Sequence, residues 1–198
     1  MRGRRLFVPK GREVRPTSDR VREALFSLIG QDLRGAAVLD LFAGTGVLGI
    51  EALSRGADRA VFVDQAPRAL EAVRRNLEQC GLTGLAEVVR HDLRRGLPAR
   101  ATAPGQTFDL VFLDPPYGRA LADPLLAPLG RTGILARGAL VVVETGAGKA
   151  SRTEAARCGT SRAAPTGTRE STCSHSKAET IDAFAKTRSR AAGNDITC

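Results

Sequence analysis

Long apolar runs are missing from this chain. Across 198 residues the best uninterrupted stretch is Ala139 to Val143, far short of the roughly 18 residues that a membrane span needs. The basic N-terminus offers only Leu6-Phe7-Val8 before Pro9-Lys10-Gly11-Arg12, too little for the apolar centre of a secretion signal. Membrane insertion and export are therefore disfavoured, and a cytoplasmic chain is expected. Cysteine is scarce. Cys80, Cys158, Cys173 and Cys198 form no C-x-x-C pair and have no histidine at zinc-finger spacing, which argues against a disulfide framework and structural zinc. His91 and His175 lie far apart in sequence, so neither a metal site nor a Ser/His/Asp or Cys/His arrangement is expected. Lysine is nearly absent too: 26 of the 30 basic residues are arginine. The net charge of +9 points to a polyanionic partner, nucleic acid first. The arginine bias also fits a GC-rich gene, so charge alone decides nothing.

What is present reads as one domain with a single core, 42% of residues being hydrophobic. Residues 1–15 alternate basic and apolar side chains and form an exposed arm. A helix is expected from Ser18 or Asp19 to Ile29, with Val21, Ala24, Leu25, Leu28 and Ile29 at helical spacing and Gly30 as its C-cap. From Ala36 onward short apolar strands alternate with helices. Strands are expected at Ala37–Phe42, Ala60–Val63, Ala86–Val89, Phe108–Leu113 and Leu140–Val143. Helices are expected at Gly46–Arg55 and Pro67–Cys80, and at Leu121–Leu135 with interruptions at Pro124, Pro128 and Gly130. Such repetition, with strands apolar throughout, means a mostly parallel sheet with helices on both faces.

Two constellations carry chemistry. Asp40-Leu41-Phe42-Ala43-Gly44-Thr45-Gly46-Val47-Leu48-Gly49 ends the first strand and opens its helix. Gly44, Gly46 and Gly49 fit G-x-G-x-x-G. Such glycines let the backbone turn tightly and approach a ligand at a helix N-terminus. Asp64 ends the next strand, where a carboxylate can accept both hydroxyls of a ribose. A dinucleotide and S-adenosylmethionine (SAM) both fit, as does a tight turn with no ligand. Asp40 favours SAM, because a carboxylate there repels a pyrophosphate but attracts an ammonium, directly or through water. Asp92, after the third strand, can meet an adenine amino group or serve only as a turn residue. His91 beside it is incidental.

The second constellation is Asp114-Pro115-Pro116-Tyr117, reached directly from the strand Phe108–Leu113. The prolines fix φ and remove donors, so the Asp114 carboxylate and the Pro115 carbonyl both present acceptors. Two acceptors can take both hydrogens of an exocyclic amine and turn its lone pair toward a methyl group. Tyr117 offers a face for a planar base. A proline-rich turn with a buried tyrosine is the bland alternative.

Together these motifs resemble class I SAM-dependent methyltransferases acting on amino groups. Arg15-Pro16-Thr17-Ser18-Asp19-Arg20-Val21-Arg22-Glu23-Ala24-Leu25-Phe26 and the Gly3-Arg4-Arg5-Leu6 arm are further similar to the bacterial 16S rRNA guanine-N2 methyltransferase D family. The resemblance spans roughly residues 1–148. It implies a Rossmann-like α/β fold with a short N-terminal extension. It also implies SAM as methyl donor without a metal, and methylation of the 2-amino group of one guanine in 16S rRNA of the small ribosomal subunit or its assembly intermediate, by a monomer. Carried over by position, Asp114, Pro115, Pro116 and Tyr117 are catalytic. Asp40, Phe42, Gly44, Gly46, Gly49, Asp64 and Asp92 hold SAM, and Arg4, Arg5, Arg15, Thr17, Arg20 and Arg22 contact RNA. Residues 1–30 become an RNA-contacting arm and helix, and 31–149 the methyltransferase domain. Methylation of adenine N6, cytosine N4 or a glutamine side chain uses the same tetrapeptide. A NAD(P)-dependent oxidoreductase and an inactive RNA-binding relic stand as rival readings from different classes.

The chain departs from the family at both ends. Members begin several residues earlier with a short apolar strand, so Met1 reads as a misassigned start inside the arm. Members also continue past the fifth strand into two more, one of them antiparallel. Residues 151–198 have only Ile181, Phe184 and Ile196 from the large apolar set and no periodicity, too little to offset the entropy of ordering them. The expectation is therefore that the C-terminal strands are missing, that 150–198 is a disordered or frame-shifted tail, and that Leu140–Val143 is an exposed sheet edge.

Overall fold

A computed structural model of the chain describes residues 6–7, 19–116, 121–147, 150–157 and 179–182. Its elements in chain order are α1 (Asp19–Ile29), β1 (Ala37–Leu41), α2 (Val47–Ser54), β2 (Arg59–Asp64), α3 (Pro67–Cys80), β3 (Ala86–Arg90), β4 (Phe108–Leu113), α4 (Asp123–Arg131), β5 (Leu135–Ala147), β6 (Ala150–Arg157) and β7 (Glu179–Asp182). The strands form one sheet in the order β3-β2-β1-β4-β5-β6-β7. β1 to β5 are parallel, and the buried apolar runs of β1, β2 and β4 suit strands covered on both faces.

Alternation along the strands sorts the core into two layers. Val38, Phe62, Leu110 and Phe112 face Leu25 and Phe26 of α1, Ile50 and Leu53 of α2, and Val73 and Leu77 of α3. Leu39, Leu41, Val61, Val63, Val111 and Leu113 face Leu125 and Leu129 of α4, with Leu93 and Ala101. α3 begins with Pro67 in its first turn and ends at Gly81 with φ 71°, the asymmetry expected of helix ends. Phe26 joins α1 to the sheet: its ring lies 6.0 Å from that of Phe112, and the Arg55 guanidinium sits 4.6 Å over it.

The helix expected to run to Leu135 is shorter. Thr132 caps α4, Gly133 turns at φ 71°, and Leu135 is already strand, paired with Phe108. β5 then shifts register between that pair and Leu110–Leu140, with Gly138 at φ 79° in the extra segment.

The C-terminal expectation is corrected. Leu140–Val143 is not an edge, because β6 runs antiparallel along it from Leu140↔Arg157 to Ala147↔Ala150. β7 then pairs with β6 through Arg152↔Asp182 to Ala155↔Glu179. The reason is that an open edge offers a row of main-chain N–H and C=O groups, which any backbone can satisfy whatever its side chains. Only two residues separate β5 from β6, so closing that hairpin costs little chain entropy. The rest of 150–198 lies outside the described residues.

Candidate active site

The sheet order places a crossover at its centre: the chain runs from β1 outward through β2 to β3, then returns to β4 on the other side of β1. Loops leaving β1 and β4 therefore diverge at their carboxyl ends, and the crevice between them is where open α/β sheets bind ligands. Leu41 pairs with Leu113, so Phe42 and Asp114 leave adjacent strands at the same level, roughly 5 Å apart in the pairing direction. The described parts of both sequence constellations thus meet at one place.

The glycine loop is held by its backbone. Phe42 has φ 65°, the one non-glycine positive φ among the described residues, and Gly44 and Gly46 follow at 56° and 78°. A left-handed aromatic residue costs about 1–2 kcal/mol, a strain typical of ligand loops. Gly46 N–H donates to the Ala43 carbonyl at 2.7 Å and Ala43 N–H to the Val63 carbonyl at 3.0 Å. Gly49 serves packing: a Cβ there would stand 2.8 Å from Phe62 Cζ and 3.1 Å from Asp40 Oδ2, so only glycine lets α2 lie this close to β2.

The three carboxylates expected to hold SAM have different fates. Asp64, half-buried at the end of β2, accepts Gly44 N–H at 2.9 Å on Oδ2 and Ala66 N–H at 2.8 Å on Oδ1. Each oxygen keeps a further lone pair, so the group still fits a diol. Asp40, expected to meet the cofactor ammonium, is enclosed instead: it is 2% exposed and lies in register with Phe62 and Phe112. Its Oδ2 accepts Gly49 N–H at 3.0 Å, bracing the first turn of α2. Burial, and secondarily the charge of Asp64, push its carboxyl up to about 7 against the opposing Gly49 hydrogen bond. Asp92 is engaged by its own neighbour. Arg94 Nε and Nη2 reach its two oxygens at 2.9 and 2.7 Å, and Arg94 N–H closes the turn at 3.1 Å. Chiefly through that side-chain pairing, Arg94 holds the Asp92 carboxyl down at about 2. Asp92 thus closes a turn with Arg94 and shares its carboxylate oxygens with that side chain. The ring of His91 meets the Gly96 carbonyl at 3.1 Å, a structural contact.

Asp114 and Pro115 are half-buried and Pro116 is exposed at the end of β4; Tyr117 lies outside the described residues. So do Arg4, Arg5, Arg15 and Thr17, while Arg20 belongs to α1. Arg22 requires a correction. It is 5% exposed, and its Nε lies 3.7 Å from Glu51 Oε2, while Arg55 takes Oε1 at 2.5 Å. Glu51 on α2 draws the guanidinium inward, so Arg22 fastens α1 to the domain and is not presented to a phosphate.

Sequence reasoning also missed Asn76. It is 0% exposed and bonds both to Phe7 of the arm and to the Thr45 carbonyl. An uncharged amide on the apolar stripe of α3, between Val73 and Leu77, was the available signal. No cluster of metal-ligating side chains occurs among the described residues, and no helix among them is long and apolar enough to cross a membrane.

A mostly parallel sheet with a glycine loop and an acid-ended second strand at its crossover, and an Asp-Pro-Pro segment beside the loop, defines a class I SAM-dependent methyltransferase. Within that class the chain belongs to the family described as Conserved hypothetical protein 95, which matches residues 1–193, the family of rRNA small subunit methyltransferase D. YlbH of Bacillus subtilis is 42% identical over 144 residues, 72% of this chain and 77% of that protein. Ribosomal RNA small subunit methyltransferase D of Escherichia coli is 38% identical over 144 residues, 73% of this chain and 70% of that protein. Among solved structures, yhhF from Escherichia coli superposes with a TM-score of 0.61 at 38% identity, covering 72% of this chain and 76% of that one. SMU.776, solved as a complex with SAH, has a TM-score of 0.51 at 26% identity, over 66% of this chain and 35% of that one.

Proposed function

We propose that the chain methylates the exocyclic 2-amino group of a guanine in 16S rRNA, on the small ribosomal subunit or its assembly intermediate, acting as a cytoplasmic monomer. The observation that carries the reading is the register of β1 with β4, which brings Asp114 beside the Phe42–Gly46 loop. The names of the relatives support rRNA as the substrate class, and the charge of +9 suits a polyanion whose binding weakens with salt.

The residues present fit SAM. Gly44 and Gly46 keep side chains out of the loop, the N-terminus of α2 follows it, and Asp64 retains acceptor capacity for the ribose hydroxyls. Phe42 and Gly49 shape the same loop. Asp40 acts from behind it, through Gly49 and through its charge when ionised. Asp92 reaches an adenine amine only by sharing its oxygens with Arg94. SAM supplies a methyl group already activated on a sulfonium sulfur.

The protein's own part is placement. Asp114 and the Pro115 carbonyl accept the two hydrogens of the amine and aim its lone pair, Pro116 stiffens the turn, and Tyr117 stacks on the base. No strong base is needed before bond formation, because the amine becomes acidic only as it gains the methyl carbon; Asp114 then takes the proton or passes it to water. Residues 1–30 grip RNA through Arg4, Arg5, Arg15, Thr17 and Arg20, and 31–149 carry the transfer.

The test is transfer of labelled methyl from SAM to small subunits lacking the modification, with Asp114→Ala as control. Label recovered as N2-methylguanine, and reduced at least about 100-fold in the variant with SAM affinity kept, is the expected result. Label in N6-methyladenine, N4-methylcytosine or methylglutamine would refute the guanine assignment. An undiminished rate in Asp114→Ala would refute the catalytic one.

A further inference from the structure

We propose that Asn76 is a positioning residue that ties the N-terminal segment to the cofactor loop, making cofactor affinity depend on how that segment is seated. The inference rests on reading Phe42–Gly46 as the cofactor loop.

Asn76 lies in the interior with no exposed surface, where an unsatisfied amide is costly. Its hydrogen-bonding groups are spent on two distant segments. Oδ1 accepts Phe7 N–H at 2.6 Å. Nδ2 donates one hydrogen to the Phe7 carbonyl and the other to the Thr45 carbonyl, each at 3.0 Å. Towards Phe7 the amide acts as a neighbouring strand does, meeting both main-chain groups of one residue. Towards Thr45 it grips the middle of Gly44-Thr45-Gly46 from behind.

The segment it holds is itself docked. Leu6 is 6% exposed within the layer packed under α1 to α3, and the Arg75 guanidinium sits 4.0 Å over the Phe7 ring. The loop is pinned elsewhere by Gly44 N–H on Asp64 and Gly46 N–H on Ala43. The Thr45 carbonyl shares one planar peptide with Gly46 N–H, so Asn76 and the Ala43 carbonyl hold the two ends of the same peptide and together fix its direction. When Phe7 leaves, the amide loses two of its three partners in a dry site and must reorient to recover them. Its hold on Thr45 then slackens, and the Gly44–Gly46 backbone loses the orientation that receives the cofactor.

The experiment is a double-mutant cycle on the full chain, read as affinity for S-adenosylhomocysteine by calorimetry. Asn76→Asp keeps the shape but sets a carboxylate against two carbonyl oxygens; Phe7→Pro removes the N–H that Asn76 accepts, together with local backbone freedom. Each is expected to weaken binding about fivefold or more, and the double variant to bind no worse than the weaker single, because both cut one tie. Effects that multiply, as for two independent structural defects, would overturn the proposal, as would native affinity in Phe7→Pro. If Asn76→Asp fails to fold, Phe7→Pro decides alone: weakened binding at an unchanged urea midpoint supports the tie, and unchanged binding refutes it. Asp64→Ala separates the underlying reading. Full affinity in that variant would remove the cofactor assignment and the proposal with it, whereas lost affinity there with native affinity in Phe7→Pro refutes the tie alone.

Discussion

Replacing Asp40 by asparagine makes the stability of this fold less dependent on pH, by an amount that the site itself fixes. The carboxyl stands between Phe62 and Phe112 and keeps its proton up to about pH 7, against an ordinary value of 3.8. In the unfolded chain it ionises at the ordinary value. Between the two, the unfolded state has lost a proton that the folded state retains, so Asp40 lowers stability progressively as pH rises from about 4 to about 7 and has no further effect above. The full span is worth about 4 kcal/mol, and the portion between about pH 5 and about pH 8 is worth about 3 kcal/mol. The asparagine side chain cannot ionise, and its Oδ1 can keep the Gly49 hydrogen bond. Burying its amide hydrogens without acceptors costs about 1–3 kcal/mol, but equally at both pH values. Urea unfolding of the native chain and Asp40→Asn, followed by circular dichroism at about pH 5 and about pH 8, isolates the difference of differences. The variant should gain about 3 kcal/mol relative to native between the two conditions, with unchanged slopes. A native-minus-variant difference that is the same at both pH values would refute the reasoning.

Two packing predictions follow from the same region. Gly49→Ala drives a methyl group into the Phe62 ring and against Asp40 Oδ2; Phe62 is fully buried and cannot move aside. The expected cost is about 1–3 kcal/mol or more, read as a lower urea midpoint, and a neutral result would mean that α2 can ride away from the sheet. Phe26→Ala empties a fully buried site between Phe112 and Arg55 and should cost about 3–5 kcal/mol. Amide exchange should then quicken first in α1, and uniform exchange across the sheet would refute its role as the fastener of that helix.

Periodicity makes the central fold legible in the sequence. β1, β2 and β4 carry buried apolar runs because helices cover both faces, and α3 shows its start in Pro67 and its stop in Gly81. The glycine loop and the Asp-Pro-Pro turn are legible for a related reason: each uses residues whose backbone constraints act locally. What escapes is decided by partners remote in sequence or by main-chain bonding. β6 has the sequence Ala-Ser-Arg-Thr-Glu-Ala-Ala-Arg, with no apolar face to read, yet β5 recruits it through backbone groups. Arg22 looks like any surface arginine until Glu51 is placed opposite it.

The same contrast explains how the site is built. The candidate site lies in short loops at the crossover, and buried polar groups brace the glycine loop and the helix that follows it from behind. Asp40 holds the first turn of α2, and Asn76 holds Thr45 and Phe7. Each is a polar side chain within an apolar layer, where an unmet hydrogen bond is penalised far more than in water. That penalty makes each contact close to all-or-none, so the loop cannot drift by small amounts without breaking a bond outright. Methyl transfer needs the acceptor atom, methyl carbon and sulfur in line, and small misplacements are costly in rate. A scaffold braced by buried, hydrogen-bonded polar groups meets that demand, and it does so at positions where pattern-based reading of the sequence expects only hydrophobic residues.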